Sequence, residues 1–238
     1  MTRPRLVVNE IFGPTVQGEG PSAGRRCSFL RLGGCNLSCR WCDTPYTWDW
    51  KGIGDSGTAY DPRVELTTRD VDDVIGEILR LRTRLLVVSG GEPLSQQAGL
   101  LPVLTALRDE GVQVEIETNG TVAPLDRVVD AGVRFNVSPK LAHSRDPYER
   151  RIVPAAIKKL NDTQDVAFKF VCRTTGDLDE VSALQSSFDL TSVWIMPEGT
   201  RAADVNTHLR NLAAETIRRG WNLSTRLHVL IWDDKRGV

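Results

Sequence analysis

Cys35, Cys39 and Cys42 lie within eight residues of one another in a chain that has only five cysteines. Thiols gathered so tightly cannot staple distant segments as a disulfide framework does. In a reducing compartment such clustering points to metal ligation. The spacing is C-x3-C-x2-C, carried by Gly33-Gly34-Cys35-Asn36-Leu37-Ser38-Cys39-Arg40-Trp41-Cys42. Structural zinc usually takes two close pairs of ligands, but here no second pair exists: Cys172 stands alone and the nearest downstream histidine, His143, is remote. An iron–sulfur cubane ordinarily takes four cysteines, so three would leave one iron open to a substrate or cofactor. Zinc completed by a distant ligand is the alternative.

Two further segments carry polar chemistry. Ser89-Gly90-Gly91-Glu92-Pro93 follows the apolar run Leu85 to Val88, and glycines let a backbone approach a ligand closely. An ordinary strand-to-helix turn would use the same residues. Glu115 and Glu117, with Asn119 just beyond, end another apolar run. Alternation puts both glutamates on one face, where they reach a ligand or stand in solvent.

The elements that must position these groups are legible as alternating periods. Strands are expected at Cys27 to Leu32, Leu85 to Ser89, Val112 to Thr118, Val133 to Val137, Val166 to Val171, Ser192 to Ile195 and Leu227 to Ile231. Val71, Val74, Ile75, Ile78 and Leu79 mark one helix face, opened by Thr67 with Asp70 as a capping box. Leu100, Val103, Leu104 and Leu107 mark a second helix, stopped by Gly111. Val205, Leu209, Leu212, Ala213 and Ile217 mark a third, ended by Gly220. Gly13 to Gly24 reads as a polar Gly-rich stretch before the first strand, and residues 45–70 as a loop inserted after the cysteines. The pattern is α/β with a mostly parallel sheet, curved towards a barrel or left open, in one domain over 1–238. Such sheets place their chemistry at the C-terminal ends of the strands.

Composition narrows the ligand class. Lys and Arg number 30 against 31 Asp and Glu, a net charge of -1, so no global positive field is present to hold a nucleic-acid backbone. The apolar runs fall far short of the ~20 residues a bilayer span needs, and no signal peptide opens the chain. The expectation is a soluble, cytoplasmic protein with a small-molecule ligand and no membrane partner. Cys27 and Cys172 lack partners and read as inert buried thiols.

The cysteine loop, with Trp41 immediately before its last cysteine and a strand before its first, resembles the signature of the radical S-adenosylmethionine enzymes. A finer resemblance runs through Glu10-Ile11-Phe12, Gln17-Gly18-Glu19-Gly20, Phe29-Leu30-Arg31-Leu32, Cys42-Asp43-Thr44, Ile116-Glu117-Thr118-Asn119-Gly120 and Val137-Ser138-Pro139-Lys140. Together these motifs look like the 7-carboxy-7-deazaguanine synthase family of 7-deazapurine and queuosine biosynthesis. The resemblance implies a pruned, partial βα barrel. It implies a 4Fe-4S cluster on Cys35, Cys39 and Cys42, whose open iron chelates S-adenosylmethionine, and a deoxyadenosyl radical that takes hydrogen from substrate. The reaction implied is ring contraction of 6-carboxy-5,6,7,8-tetrahydropterin to 7-carboxy-7-deazaguanine with loss of ammonia.

Residue roles carry over by motif. The resemblance implies that Val16, Gln17 and Gly18 line the pterin edge, that Arg31 pairs with the substrate carboxylate, and that Ser89 supplies a hydroxyl contact. A planar guanidinium fork suits a carboxylate better than a lysine does. Trp41, Cys42, Asp43, Gly91 and Ser138-Pro139-Lys140 are implied to hold S-adenosylmethionine, Thr44 to ligate Mg2+, and His228, in the last strand, to reach the substrate pocket. A homodimer and an electron donor such as flavodoxin or ferredoxin are implied as partners. Two departures stand out: Met196 occupies a position that is often polar in the family, so the adenine contact there is expected from backbone alone, and Trp232 to Val238 has no close counterpart to the family's substrate-closing end. The competing readings are a radical activating enzyme acting on a protein and a non-enzymatic metal-binding module.

Overall fold

The computed structural model describes residues 4–238. Its elements are β1 (Arg5–Val16), β2 (Arg26–Leu32), α1 (Pro62–Glu65), β3 (Thr67–Asp70), α2 (Val71–Arg80), β4 (Leu85–Gly90), α3 (Gln97–Asp109), β5 (Gln113–Thr118), α4 (Asp126–Val129), β6 (Arg134–Val137), α5 (Tyr148–Arg151), α6 (Pro154–Asn161), β7 (Val166–Cys172), α7 (Thr175–Phe188), β8 (Val193–Pro197), α8 (Ala202–Arg218), β9 (Asn222–Leu223) and α9 (Leu227–Trp232). The strands make one sheet in the order β3-β1-β2-β4-β5-β6-β7-β8-β9. β1 runs antiparallel to β2 and β3, and every other pairing is parallel. The sheet does not close: β3 and β9 are its two edges.

Strand alternation sorts the side chains. Leu30 and Leu32, Leu86 and Val88, Val114 and Ile116, Phe135 and Val137, and Phe168 and Phe170 join one core with Val74 and Ile78 of α2, Leu100 and Leu104 of α3, and Leu178 and Val181 of α7. Each fully buried Leu or Phe contributes about 1.5–3 kcal/mol. The intervening residues turn to the other face. There the register sets Arg31 beside Ser89, Glu117 beside Asn136 and Val171 beside Met196. The outer core fixes the sheet, and the sheet's register sets the order of polar groups across the inner face.

Several sequence expectations give way to the structure. The first strand is not Cys27 to Leu32 but β1, which runs on through Gly13 to Val16, the start of the Gly-rich stretch expected to precede the first strand. Its pairing with β2 slips between Phe12 and Thr15, and that irregularity accommodates Pro14, which has no N–H to offer a ladder. Thr67 to Asp70 forms β3 against β1, so no capping box opens α2; Asp70 accepts from Arg5 Nε at 2.8 Å instead. A capping box lies instead at Thr174 and Asp177, opening α7, a helix absent from the sequence reading. Leu227 to Ile231 is helical, because β9 already occupies the edge beside β8 and the chain then turns back across the cavity. His228 therefore sits on α9, not on a strand. Ile217, expected on the buried face of α8, is 71% exposed, and Thr216 is buried in its place. Among the described residues no helix is long and apolar enough to cross a membrane.

Candidate active site

At the C-terminal ends of the parallel strands lies a cavity of about 930 Å3 lined by all three clustered cysteines, Arg31, Thr44, Ser89, Glu117, Lys169 and Arg226. Val16, Gln17, Gly18, Trp41, Asp43, Gly91, Ser138, Lys140, Met196 and His228 line the same space. The structure thus brings together nearly every residue singled out in the sequence. Pro139 is the exception: it does not line the cavity and lies against Gly120. Cys27 and Cys172 are fully buried, with no sulfur partner.

The cysteine loop is seated on the turn after β4. A Cβ on Gly91 would stand 1.8 Å from the Gly34 carbonyl oxygen, and one on Gly90 would stand 2.1 Å from that of Leu32. These glycines are needed, but the backbone they admit is the cysteine loop itself. Glu92 fastens the arrangement: its buried carboxylate accepts from Leu94 N at 2.9 Å, Asn119 N at 2.7 Å and Thr118 Oγ1 at 2.8 Å. Burial raises its pKa, although each of these donors favours the charged form. Asn119 in turn donates to Asn36 Oδ1 at 2.9 Å and faces Cys35 Sγ at 3.9 Å.

Burial pushes the Cys35 thiol up to about 12 and raises those of Cys39 and Cys42 as well. Groups that favour thiolates stand against them. Leu37 N donates to Cys35 Sγ at 3.5 Å, Trp48 Nε1 donates to Cys42 Sγ at 3.3 Å, and Lys140 stabilises negative charge on Cys35 and Cys39. Among the described residues no three His, Cys, Asp or Glu side chains converge closely enough for one metal ion. Three thiols from one short loop, all facing one cavity, suit the irons of a 4Fe-4S cluster, whose fourth iron would stay open. Trp41 closes the rear of the loop, with Lys140 Nζ 5.5 Å and the His143 ring 5.4 Å from its ring. Thr44 Oγ1 is 3.6 Å from Cys42 Sγ.

Opposite the cysteines stands a buried charge network that sequence reading did not assemble. Lys169 pairs with Glu19 and, at 3.3 Å, with Glu117. Arg226 pairs with Glu19 at 3.0 Å and with Asp43, and donates to the Gly199 carbonyl at 2.6 Å. Burial alone would raise the Glu19 carboxyl, but Lys169 and Arg226 outweigh it and hold it below the usual carboxylate range. Glu117 also accepts from Ser89 Oγ at 3.0 Å and Gln17 Nε2 at 3.3 Å, so it faces the cavity and is not a solvated residue. Glu115, on the same face but nearer the start of β5, does not line the cavity and accepts from Asn136 Nδ2 at 3.0 Å. Burial lowers the His228 pKa, favouring neutral imidazole, and its ring occupies the space a Gly18 side chain would need.

Arg31 Nε donates to Glu10 Oε1 at 2.8 Å, and its guanidinium lies between the rings of Phe12 and Tyr46. Among the described residues Glu10 is its one recorded acceptor, leaving the Nη1/Nη2 fork open for a planar anion. Residues 233–238, expected to lack a close counterpart to the family's substrate-closing end, also line the cavity.

The comparisons with known proteins agree with this geometry. Residues 30–167 match the family model of the radical SAM superfamily. The chain is 34% identical, over 98% of its own length and 98% of the relative's, to the 7-carboxy-7-deazaguanine synthase of Pyrobaculum aerophilum. It is 31% identical to that of Halobacterium salinarum, over 97% and 92% of the two chains. Among solved structures, QueE from Escherichia coli superposes with a TM-score of 0.71 at 27% identity, covering 94% of this chain and 95% of that one.

Proposed function

From the premise that the chain belongs to the radical SAM superfamily and, within it, to the 7-carboxy-7-deazaguanine synthase family, we propose that it contracts 6-carboxy-5,6,7,8-tetrahydropterin to 7-carboxy-7-deazaguanine and releases ammonia, a step of queuosine or other 7-deazapurine biosynthesis. The fold is the partial βα barrel of that superfamily. The observation that carries the reading is the union, in one cavity, of three thiols from one short loop and an arginine whose fork is open to a carboxylate. Cys35, Cys39 and Cys42 would hold a 4Fe-4S cluster that, once reduced, would supply the electron for radical chemistry on bound S-adenosylmethionine.

The chain's own residues bind, orient and exclude water. Arg31 holds the substrate's carboxylate, with Phe12 and Tyr46 keeping water from the ion pair. Ser89, Gln17 and Val16 line the pterin, Gly18 admits His228 beside it, and Glu117, tied to Ser89 and Lys169, offers an acceptor to ring N–H groups. Trp41, Asp43, Gly91, Ser138 and Lys140 surround S-adenosylmethionine; Ser138 Oγ accepts from Lys140 Nζ at 3.0 Å, which fixes the lysine toward the cysteine loop. Pro139 acts behind this wall. Thr44, a hard oxygen between the cysteines and Arg31's pocket, suits Mg2+. Met196 meets the cofactor with an apolar side chain, leaving polar contact there to backbone.

One sheet from Arg5 to Leu223 supports a single domain, with residues 45–70 inserted as two short helical turns and the edge strand β3. The need for one electron per radical supports a flavodoxin or ferredoxin as donor, and the family likeness supports a cytoplasmic homodimer. The test is anaerobic reconstitution followed by substrate, S-adenosylmethionine, Mg2+ and reductant. The deazaguanine product is expected; its absence from protein carrying about four irons per chain would falsify the assignment.

A further inference from the structure

Arg31 is held from behind by a carboxylate that is shared. Glu10 Oε1 accepts from Arg31 Nε at 2.8 Å, while Glu10 Oε2 accepts from Arg236 Nε at 3.2 Å. Arg236 stands near the end of the chain, beyond α9, and its other nitrogens are engaged too. It donates from Nη1 to Glu65 Oε2 at 2.8 Å and from Nη2 to Asn9 Oδ1 at 3.1 Å. Its guanidinium lies 4.0 Å from the centre of the Tyr46 ring, which Arg31 approaches at 5.9 Å. A guanidinium satisfied along three edges and stacked on an aromatic face is a strong anchor for a short tail.

We propose that Glu10 and Arg236 form a latch coupling the C-terminal tail, residues 233–238, to the substrate's carboxylate. Glu10 is a positioning residue. It fixes Arg31 by Nε so that the Nη1/Nη2 fork faces the cavity, and it fastens Arg236, so the tail lies across the same space. In this nest two guanidiniums balance two carboxylates, Glu10 and Glu65. A substrate carboxylate on Arg31 adds a negative charge, which Glu10 tolerates only while Arg236 neutralises its other oxygen. Substrate therefore tightens the tail and the tail tightens substrate, by the same factor, because coupling between two binding events is reciprocal. The latch rests on the reading of Arg31 as the carboxylate clamp, and it makes Arg236 a determinant of preference for carboxylated pterins.

The test uses anaerobic holoenzyme with S-adenosylmethionine and no reductant, so that 6-carboxy-5,6,7,8-tetrahydropterin binds without turnover. Affinity is measured by titration, and tryptic cleavage after Lys235 is followed by mass spectrometry. In the unaltered protein, saturating substrate is expected to slow that cleavage about tenfold, and tetrahydropterin lacking the carboxylate to leave it unchanged. Arg236→Ala should weaken substrate binding by a similar factor and abolish the protection, raising KM far more than it lowers kcat. Arg236→Lys should recover part of both effects. Glu10→Gln should lose both, and the Arg236→Ala effect should vanish in an Arg31→Ala background. Substrate that binds the unaltered protein without protecting Lys235, or binds Arg236→Ala with unaltered affinity, overturns the latch alone. A holoenzyme that neither binds nor converts the pterin overturns the substrate assignment, and the latch with it.

Discussion

The two walls of the cavity are built by different means. The wall of β2, β4 and β5 is a stack of loops in which backbone meets backbone: Gly91 against Gly34, Glu92 gathering three donors, Asn119 reaching Asn36. The side of Lys169 on β7 and Arg226 just before α9 is held by long side chains in ion pairs, which reach across to Glu19 after β1, Glu117 of β5 and Asp43 beside the last clustered cysteine. The first kind of wall tolerates no added atom, and the second tolerates no lost partner. A protein that must seat a cluster rigidly and still admit a charged substrate has reason to use one of each.

The contrast can be broken at several points. Cys39→Ala should abolish cluster retention and all turnover, read as iron content and loss of the absorption near ~400 nm; survival of either would show that this wall does not hold the metal. Across the cavity, Lys169→Met leaves Glu117 without its cation and Glu19 with Arg226 alone, and should cost about 3–5 kcal/mol in urea unfolding, much of it recovered on adding Glu117→Gln. No recovery in the double variant would mean that Lys169 stabilises by packing and not by pairing. Arg31→Ala should weaken substrate binding about ten- to a hundredfold, the range for a charged hydrogen bond, while uncoupled cleavage of S-adenosylmethionine persists. Equal losses in both would place the carboxylate clamp elsewhere.

The smallest effect concerns acid stability. Burial raises the Asp177 carboxyl, but His143 and the amides of Thr174 and Arg173 prevail and bring it from 3.8 down to about 2. A depressed carboxylate contributes stability that is complete above its unfolded value and fades as pH falls through the folded one. Asp177→Asn should therefore lower stability at neutral pH and flatten the profile between those two values, so that the variant and the unaltered protein converge below the lower one. An unaltered acid limb would assign that depression no stabilising role.

The first wall was legible because its chemistry is local. Cysteine spacing, the Gly90-Gly91 pair and Trp41 lie within single turns of chain, where spacing and geometry are nearly the same thing. Arg31 and Ser89 were recognisable only through their neighbouring motifs, although the register that sets them side by side follows from pairing β2 with β4. Lys169 and Arg226 were not singled out: one sits in the apolar run of β7, the other in the turn before α9. Their partners are long-range, and burial decides their value. An isolated Lys within Ala-Phe-Lys-Phe-Val is itself a signal, since an unpaired charge inside a strand is too costly to keep. Leu227 to Ile231 misled because a short apolar run does not distinguish strand from helix, and the neighbouring strand edge was already taken.

Glu19 and Arg226 are 207 positions apart, and that separation bears on how the enzyme comes into being. Translation proceeds at about 5–20 residues per second, so Glu19 leaves the synthesis machinery roughly 10–40 s before its arginine. Most of the sheet is available to fold in that interval, yet the substrate side of the cavity stays open and its carboxylates hydrated. The nascent protein can offer its thiols for loading while the pocket that will shield them is still unfinished, and Arg226 arrives only afterwards to join its carboxylates.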